Sequence, residues 1–82
     1  MPQTLLRDHS GILYYPENRK AFVFRLAELI KVTFGYEAVV IQRRDEESGT
    51  WGRSIYIVSD DVIAQDELVN IAAWAKAMNV DL

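Results

Sequence analysis

Hydrophobic positions change their spacing along this 82-residue chain, and each spacing predicts an element. Phe22, Val23, Leu26, Ala27, Leu29, Ile30 and Phe34 recur three and four residues apart, which predicts a helix with one buried stripe. Asn18 is placed to cap that helix, Glu17 lies near its positive end, and Gly35 offers a C′ residue tolerant of positive φ. Ahead of it, Gly11-Ile12-Leu13-Tyr14-Tyr15 is a short β-rich run ended by Pro16. Tyr36–Arg44 and Thr50–Ser59 read as the two strands of a hairpin. A second helix begins near Asp60 or Asp61, or only at Asp66, and runs to about Met78. Leu68, Ile71, Ala72, Ala75 and Met78 form its apolar face, and Trp74 flanks that face. Asn79 ends it, leaving Val80-Asp81-Leu82 as a tail or a very short strand.

The order β-α-β-β-α predicts a single α+β domain over residues 1–82. Its architecture is a two-layer sandwich: a small, three-stranded, mainly antiparallel sheet with two helices on one face. If the first strand pairs with the third, the order 1-3-2 resembles a truncated ferredoxin-like fold without its fourth strand. That resemblance implies architecture alone, because such folds carry many unrelated functions.

The hairpin register decides which residues share a face, since a slip of one residue reverses a strand. One register sets Asp45 opposite Trp51 and makes Glu46–Thr50 the loop. The other has the shorter loop Glu46–Gly49, with Val39 opposite Tyr56 and Val40 opposite Ile55. The first groups the β-branched Val39, Ile41, Ile55 and Ile57 on one face and is preferred on that ground. Trp51 falls on the same face, beyond Arg53. The opposite face then carries Tyr36, Ala38, Val40, Gln42, Arg44, Ser54, Tyr56 and Val58, joined by Tyr14 or Tyr15. Such a face is too apolar to stand in water, and a contiguous apolar patch on a small protein marks an interaction surface. Phe24 lies off the helix stripe, either tucked under Leu5-Leu6 or serving as a partner anchor. The expected partner-binding set is therefore Tyr14, Phe24, Tyr36, Val40, Arg44, Tyr56 and Val58.

Composition narrows the function classes. A domain this short buries only about 60% of its unfolded surface, so an oligomer or partner is a natural source of added stability. No cysteine is present, which excludes disulfides and thiolate metal sites, and one histidine argues against zinc. No metal or cofactor is expected. The longest apolar run, from Ala21, is broken by Arg25, Glu28 and Lys31, so no membrane span is expected. The N-terminus shows no secretory pattern, and a cytoplasmic location is the expectation. Net charge is −3, and it divides into +3 over residues 1–44 and −6 over residues 45–82.

Candidate chemistry adds little. Asp8-His9-Ser10 holds triad residue types, but neighbours in sequence do not line up as nucleophile, base and orienter; a polar turn is the better account. Asp45, Glu46 and Glu47 lack the ligand spacing of a calcium loop, and Gly49-Thr50-Trp51-Gly52 lacks the spacing of a phosphate loop. Asp60, Asp61, Asp66 and Glu67 read as helix-start residues. Open-face tyrosines with Arg43, Arg44, Arg53 and Tyr56 would suit single-stranded nucleic acid. The acidic balance and the absence of an RNP1-like pattern count against that alternative. The sequence thus points to a small, non-catalytic interaction or regulatory protein that binds a protein partner or itself, as a dimer, through its tyrosine-bearing sheet face. Its size and acidity also suit an inhibitor or accessory protein of a phage or mobile element.

Overall fold

The computed structural model describes residues 2–80, the last of these by its backbone alone. In chain order the elements are β1 (Gln3–Leu5), β2 (Arg7–Asp8), β3 (Gly11–Ile12), β4 (Tyr15–Pro16), a 3-10 turn (Glu17–Arg19), α1 (Lys20–Phe34), β5 (Glu37–Arg44), β6 (Trp51–Val58) and α2 (Gln65–Val80). The class is α+β with antiparallel sheets, but the main sheet has four strands rather than the expected three. β6 runs through its centre. β5 pairs with one side of β6, and β1 and β4 share the other.

The extra strand comes from residues the sequence pattern left unassigned. Gln3, Thr4 and Leu5 pair with Val58, Ile57 and Tyr56, while Tyr15 and Pro16 pair with Arg53 and Gly52. Between them the chain leaves the sheet as the small β2–β3 hairpin. Its turn is local polar chemistry: Ser10 donates from both its backbone N–H (2.9 Å) and its hydroxyl (2.7 Å) to Asp8 Oδ1. The excursion closes where the Leu6 N–H donates to the Ile55 carbonyl (2.8 Å) and the Leu13 N–H to the Leu6 carbonyl (3.0 Å). This edge is in effect one strand with a hairpin spliced into it.

α1 ends as its sequence predicts. Gly35 sits at φ 83°, and its N–H donates to the Lys31 carbonyl at 2.9 Å. Its start differs. Asn18 lies inside the 3-10 turn, Arg19 takes the N-cap position, and neither makes a side-chain cap. Of the predicted stripe, Val23, Leu26, Ala27 and Ile30 are buried and Phe22, Leu29 and Phe34 half-buried. α2 begins at Gln65, so Asp60 and Asp61 belong to the connection before it. Val80 is its last residue, and Asp81 and Leu82 lie outside the described residues. Trp74 meets Phe34 edge-on, with centroids 5.3 Å apart.

Both helices pack into one core with Leu6, Tyr15, Ile55 and Ile57 from the sheet. Removing each of these large side chains from water stabilises the fold by roughly 1.5–3 kcal/mol.

The hairpin follows the four-residue loop, not the five-residue one that the grouping of β-branched residues favours. Val39 pairs with Tyr56, Val40 with Ile55, Ala38 with Ile57 and Arg44 with Trp51. Turn chemistry outweighs side-chain grouping. Asp45 and Thr50 close the loop through Asp45 N–H to the Thr50 carbonyl (2.8 Å), and the Gly49 N–H returns to the Asp45 carbonyl (2.8 Å). The Ser48 hydroxyl donates to the Asp45 carboxylate at 2.8 Å, and Gly49 takes the left-handed φ of 72°. Every β5 side chain is thereby on the face opposite to expectation.

Candidate interaction surface

The register sorts the sheet into two faces. Toward the helices point Leu6, Ile55 and Val40 in one row, and Thr4, Ile57 and Ala38 in the next. Away from them point Leu5, Tyr56 and Val39 in one row, with Gln3, Val58 and Glu37 on one side of it and Ser54 and Ile41 on the other. Val39 is 46% exposed, and Leu5, Ile41, Tyr56 and Val58 are half-buried. No second layer of described residues is stacked on the Leu5–Tyr56–Val39 row. Ile12 borders it, lining an open groove of about 330 Å³ with Leu5 and Tyr56.

One end of the outer face is closed by the chain itself. A Cβ on Gly52 would stand 2.6 Å from the Tyr14 ring and 2.3 Å from the Tyr15 carbonyl oxygen. Only a glycine admits Tyr14 there. The Tyr14 hydroxyl reaches the carbonyl and hydroxyl oxygens of Thr50 at 3.3 and 3.2 Å. Beside it Ser54 is fully buried, and its hydroxyl donates to the Leu13 carbonyl at 2.9 Å. That bond satisfies the buried Ser54 hydroxyl and ties the segment ahead of β4 to β6.

The residues expected to form the surface divide accordingly. Tyr14, Tyr56 and Val58 lie on the outer face. Tyr36 and Val40 pack against the core instead. The neighbouring Glu67 carboxylate holds the Tyr36 phenol pKa above its ordinary value of 10.0. Tyr15, buried in the core, is pushed up to about 12 by desolvation. Phe24 is 50% exposed on α1, away from Leu5-Leu6, in an open groove with Ala27, Glu28, Lys31 and β5. Arg44 donates to the Gly49 carbonyl at 3.2 Å and is part of the turn. Trp51, placed by the sequence on the face of Ile55 and Ile57, is 60% exposed. Leu5, Val39 and Ile41 are the outer-face residues that sequence reasoning missed. For β5 the signal was present in the Asp45–Ser48–Gly49 turn chemistry.

The arginines of the nucleic-acid alternative do not converge. Arg43 lies on the outer face opposite Gly52. Arg53 points to the helix side, where it donates to Glu17 at 2.9 Å and lies 5.9 Å above the Phe24 ring. That pairing holds the Glu17 pKa below its ordinary value. Tyr56 is therefore on one side of the sheet and Arg53 on the other.

At Asp8-His9-Ser10 the Ser10 hydroxyl is spent on Asp8, and Lys76 caps the same carboxylate, driving its pKa far below the ordinary range. His9 is exposed. This is the polar turn that the sequence suggested. Among the described residues no cluster of His, Cys, Asp and Glu is arranged to hold a metal ion, and no helix is long and apolar enough to cross a membrane. No family model matches the chain, and no curated protein or solved structure matches it either.

Proposed function

We propose that this is a small, non-catalytic interaction or regulatory protein of the cytoplasm that binds a protein partner, or itself, through the outer face of its sheet. The observation that carries this reading is the row Leu5–Tyr56–Val39, flanked by Val58 and Ile41, on which no second layer of described residues is stacked. An antiparallel sheet with a solvated side alternates apolar with polar residues, and here the centre of the outer side, Leu5, Tyr56, Val39 and Ile41, is apolar as well. Tyr56 stands at the centre of the patch and supplies the amphipathic aromatic that binding surfaces favour. The split arrangement, in which β4 and β5 run parallel with β6 between them, supports the ferredoxin-like comparison as an architectural analogy. A role as an inhibitor or accessory protein suits a domain of this size.

Tyr56→Asp tests the reading. It puts a carboxylate in the middle of the patch while leaving the core rows Val40–Ile55–Leu6 intact. Affinity capture from the native host, compared between the natural chain and this variant, should lose its partner by more than about tenfold. Urea unfolding should change by no more than about 1 kcal/mol. Equal losses of capture and of folding would make Tyr56 a structural residue and end the proposal.

A further inference from the structure

We infer that the free edge of β5 pairs antiparallel with β5 of a second copy, about a two-fold axis at Val40. Among the described residues β5 pairs only with β6, so its far edge is open along all eight residues. Natural edge strands are normally blunted by proline, a bulge or a charge in mid-strand. β5 has none of these: its pairing with β6 is unbroken from Glu37 to Arg44, and Ala38-Val39-Val40-Ile41-Gln42 carries no charge.

The direction of its backbone groups fixes which residues would bond. Asp45 donates toward β6, and groups alternate along a strand, so Ala38, Val40 and Gln42 direct their N–H and C=O groups to the open edge. Pairing about Val40 sets Val40 against Val40 of the second copy and Ala38 against its Gln42. These narrow pairs provide about six backbone hydrogen bonds between copies. Residues on the same face meet, as a continuous sheet requires. Glu37 falls opposite Arg43 of the second copy, twice by symmetry, and Val39 falls opposite Ile41.

Neighbouring registers lack this match. Centring on Ile41 sets Glu37 against Asp45, a like-charge pair. Centring on Val39 sets Glu37 against Ile41 and leaves Arg43 beyond the strand. On the helix side, the groove of about 390 Å³ between α1 and β5 lies beside the new pairing, and Phe24 on its wall gains cover. Glu37 now bridges Lys31 at 2.6 Å, but both side chains are exposed, so the bridge offers little resistance to a second cation.

The edge and the outer face are separate surfaces and can fail separately. Sedimentation equilibrium should show reversible dimerisation of the natural chain. Glu37→Arg or Arg43→Glu alone should weaken it by about tenfold or more, because each turns two cross-strand attractions into repulsions. An equimolar mixture of the two variants should restore association as a heterodimer, and the double variant Glu37→Arg/Arg43→Glu should restore it alone. Circular dichroism confirms that each variant folds. Amide exchange then locates the contact: Ala38, Val40 and Gln42 should gain protection with concentration, whereas Val39 and Ile41, bonded to β6, should be protected throughout. A natural chain still monomeric at about 1 mM overturns the inference. So does a mixture that fails to associate. Charge-dependent association without protection of Val40 and Gln42 also overturns it, and assigns the contact to the outer face.

Discussion

Replacing Val39 and Val40 in turn by aspartate separates the two hairpin registers. Val40 points to the helices, opposite Ile55 and against the core cluster. Removing its half-buried side chain from that contact costs about 1–1.5 kcal/mol. The carboxylate is also held partly out of water without a partner, at about 1–3 kcal/mol more. A loss of roughly 2–4 kcal/mol is expected for Val40→Asp, a large share of the roughly 4–12 kcal/mol available to a domain of this length. Val39 points outward and is 46% exposed. Val39→Asp should therefore cost no more than about 1 kcal/mol, mostly strand propensity. Urea unfolding at low micromolar concentration keeps self-association out of the measurement. With a slope near 1 kcal/mol per molar, the midpoint should fall by about 2–4 M for Val40→Asp and by under about 1 M for Val39→Asp. Equal shifts, or a larger shift for Val39→Asp, would refute the register and with it the composition of the outer face.

Two further perturbations probe the scaffold of that face. Gly52→Ala should lower stability by about 2–4 kcal/mol, because the new methyl meets the Tyr15 carbonyl oxygen as well as the Tyr14 ring; the double change with Tyr14→Ala should recover only part of it, and full recovery would show that the backbone contact is soft. The pH profile of urea unfolding should be limited on both sides. Asp8, Glu17 and Asp45 have folded pKa values below their ordinary ones, so the stability they give is present above about pH 4 and is lost as pH falls through the folded values. Tyr15 has the opposite sign: its pKa rises from 10.0 to about 12, so its contribution is complete below pH 10 and is lost between 10 and 12. Asp8→Asn should flatten the acid limb and Tyr15→Phe the alkaline one, and unchanged slopes would refute these assignments.

Much of the fold was legible because helical periodicity is redundant. Seven apolar positions define α1, and an error at any one leaves the stripe in place. Gly35 was equally plain, since little else adopts φ 83° at a helix end. Strand faces carry no such redundancy. In Ala38-Val39-Val40-Ile41 every residue is apolar, so alternation gives no phase and the loop alone sets it. Reading β-branched residues as inward failed because Ala38 and Val40 suffice beneath α1. The loop residues held the answer: Asp45, Ser48 and Gly49 are the bonding groups of a four-residue turn. The spliced edge was harder. Gly11–Tyr15, read as one strand, is divided between β3 and β4, and Gln3–Leu5 is too short to announce itself; it becomes a strand only because β6 offers it a partner. Of the candidate site, Tyr14, Tyr56 and Val58 were visible from β6 and its neighbour, while Leu5, Val39 and Ile41 depended on the two features that the pattern obscured.

The two proposed surfaces are coupled by geometry. Pairing two β5 strands about Val40 keeps both outer faces on one side of the joined sheet, because odd-numbered residues meet odd-numbered ones. Val39 of one copy then adjoins Ile41 of the other, and two patches centred on Tyr56 become one apolar strip. A partner long enough to span that strip gains contact only with the dimer, so its binding and the edge pairing must strengthen each other by the same factor. A partner confined to one Leu5–Tyr56–Val39 row gains nothing from the second copy and leaves the dimer constant unchanged. The dependence of partner affinity on chain concentration therefore measures the length of what the sheet recognises.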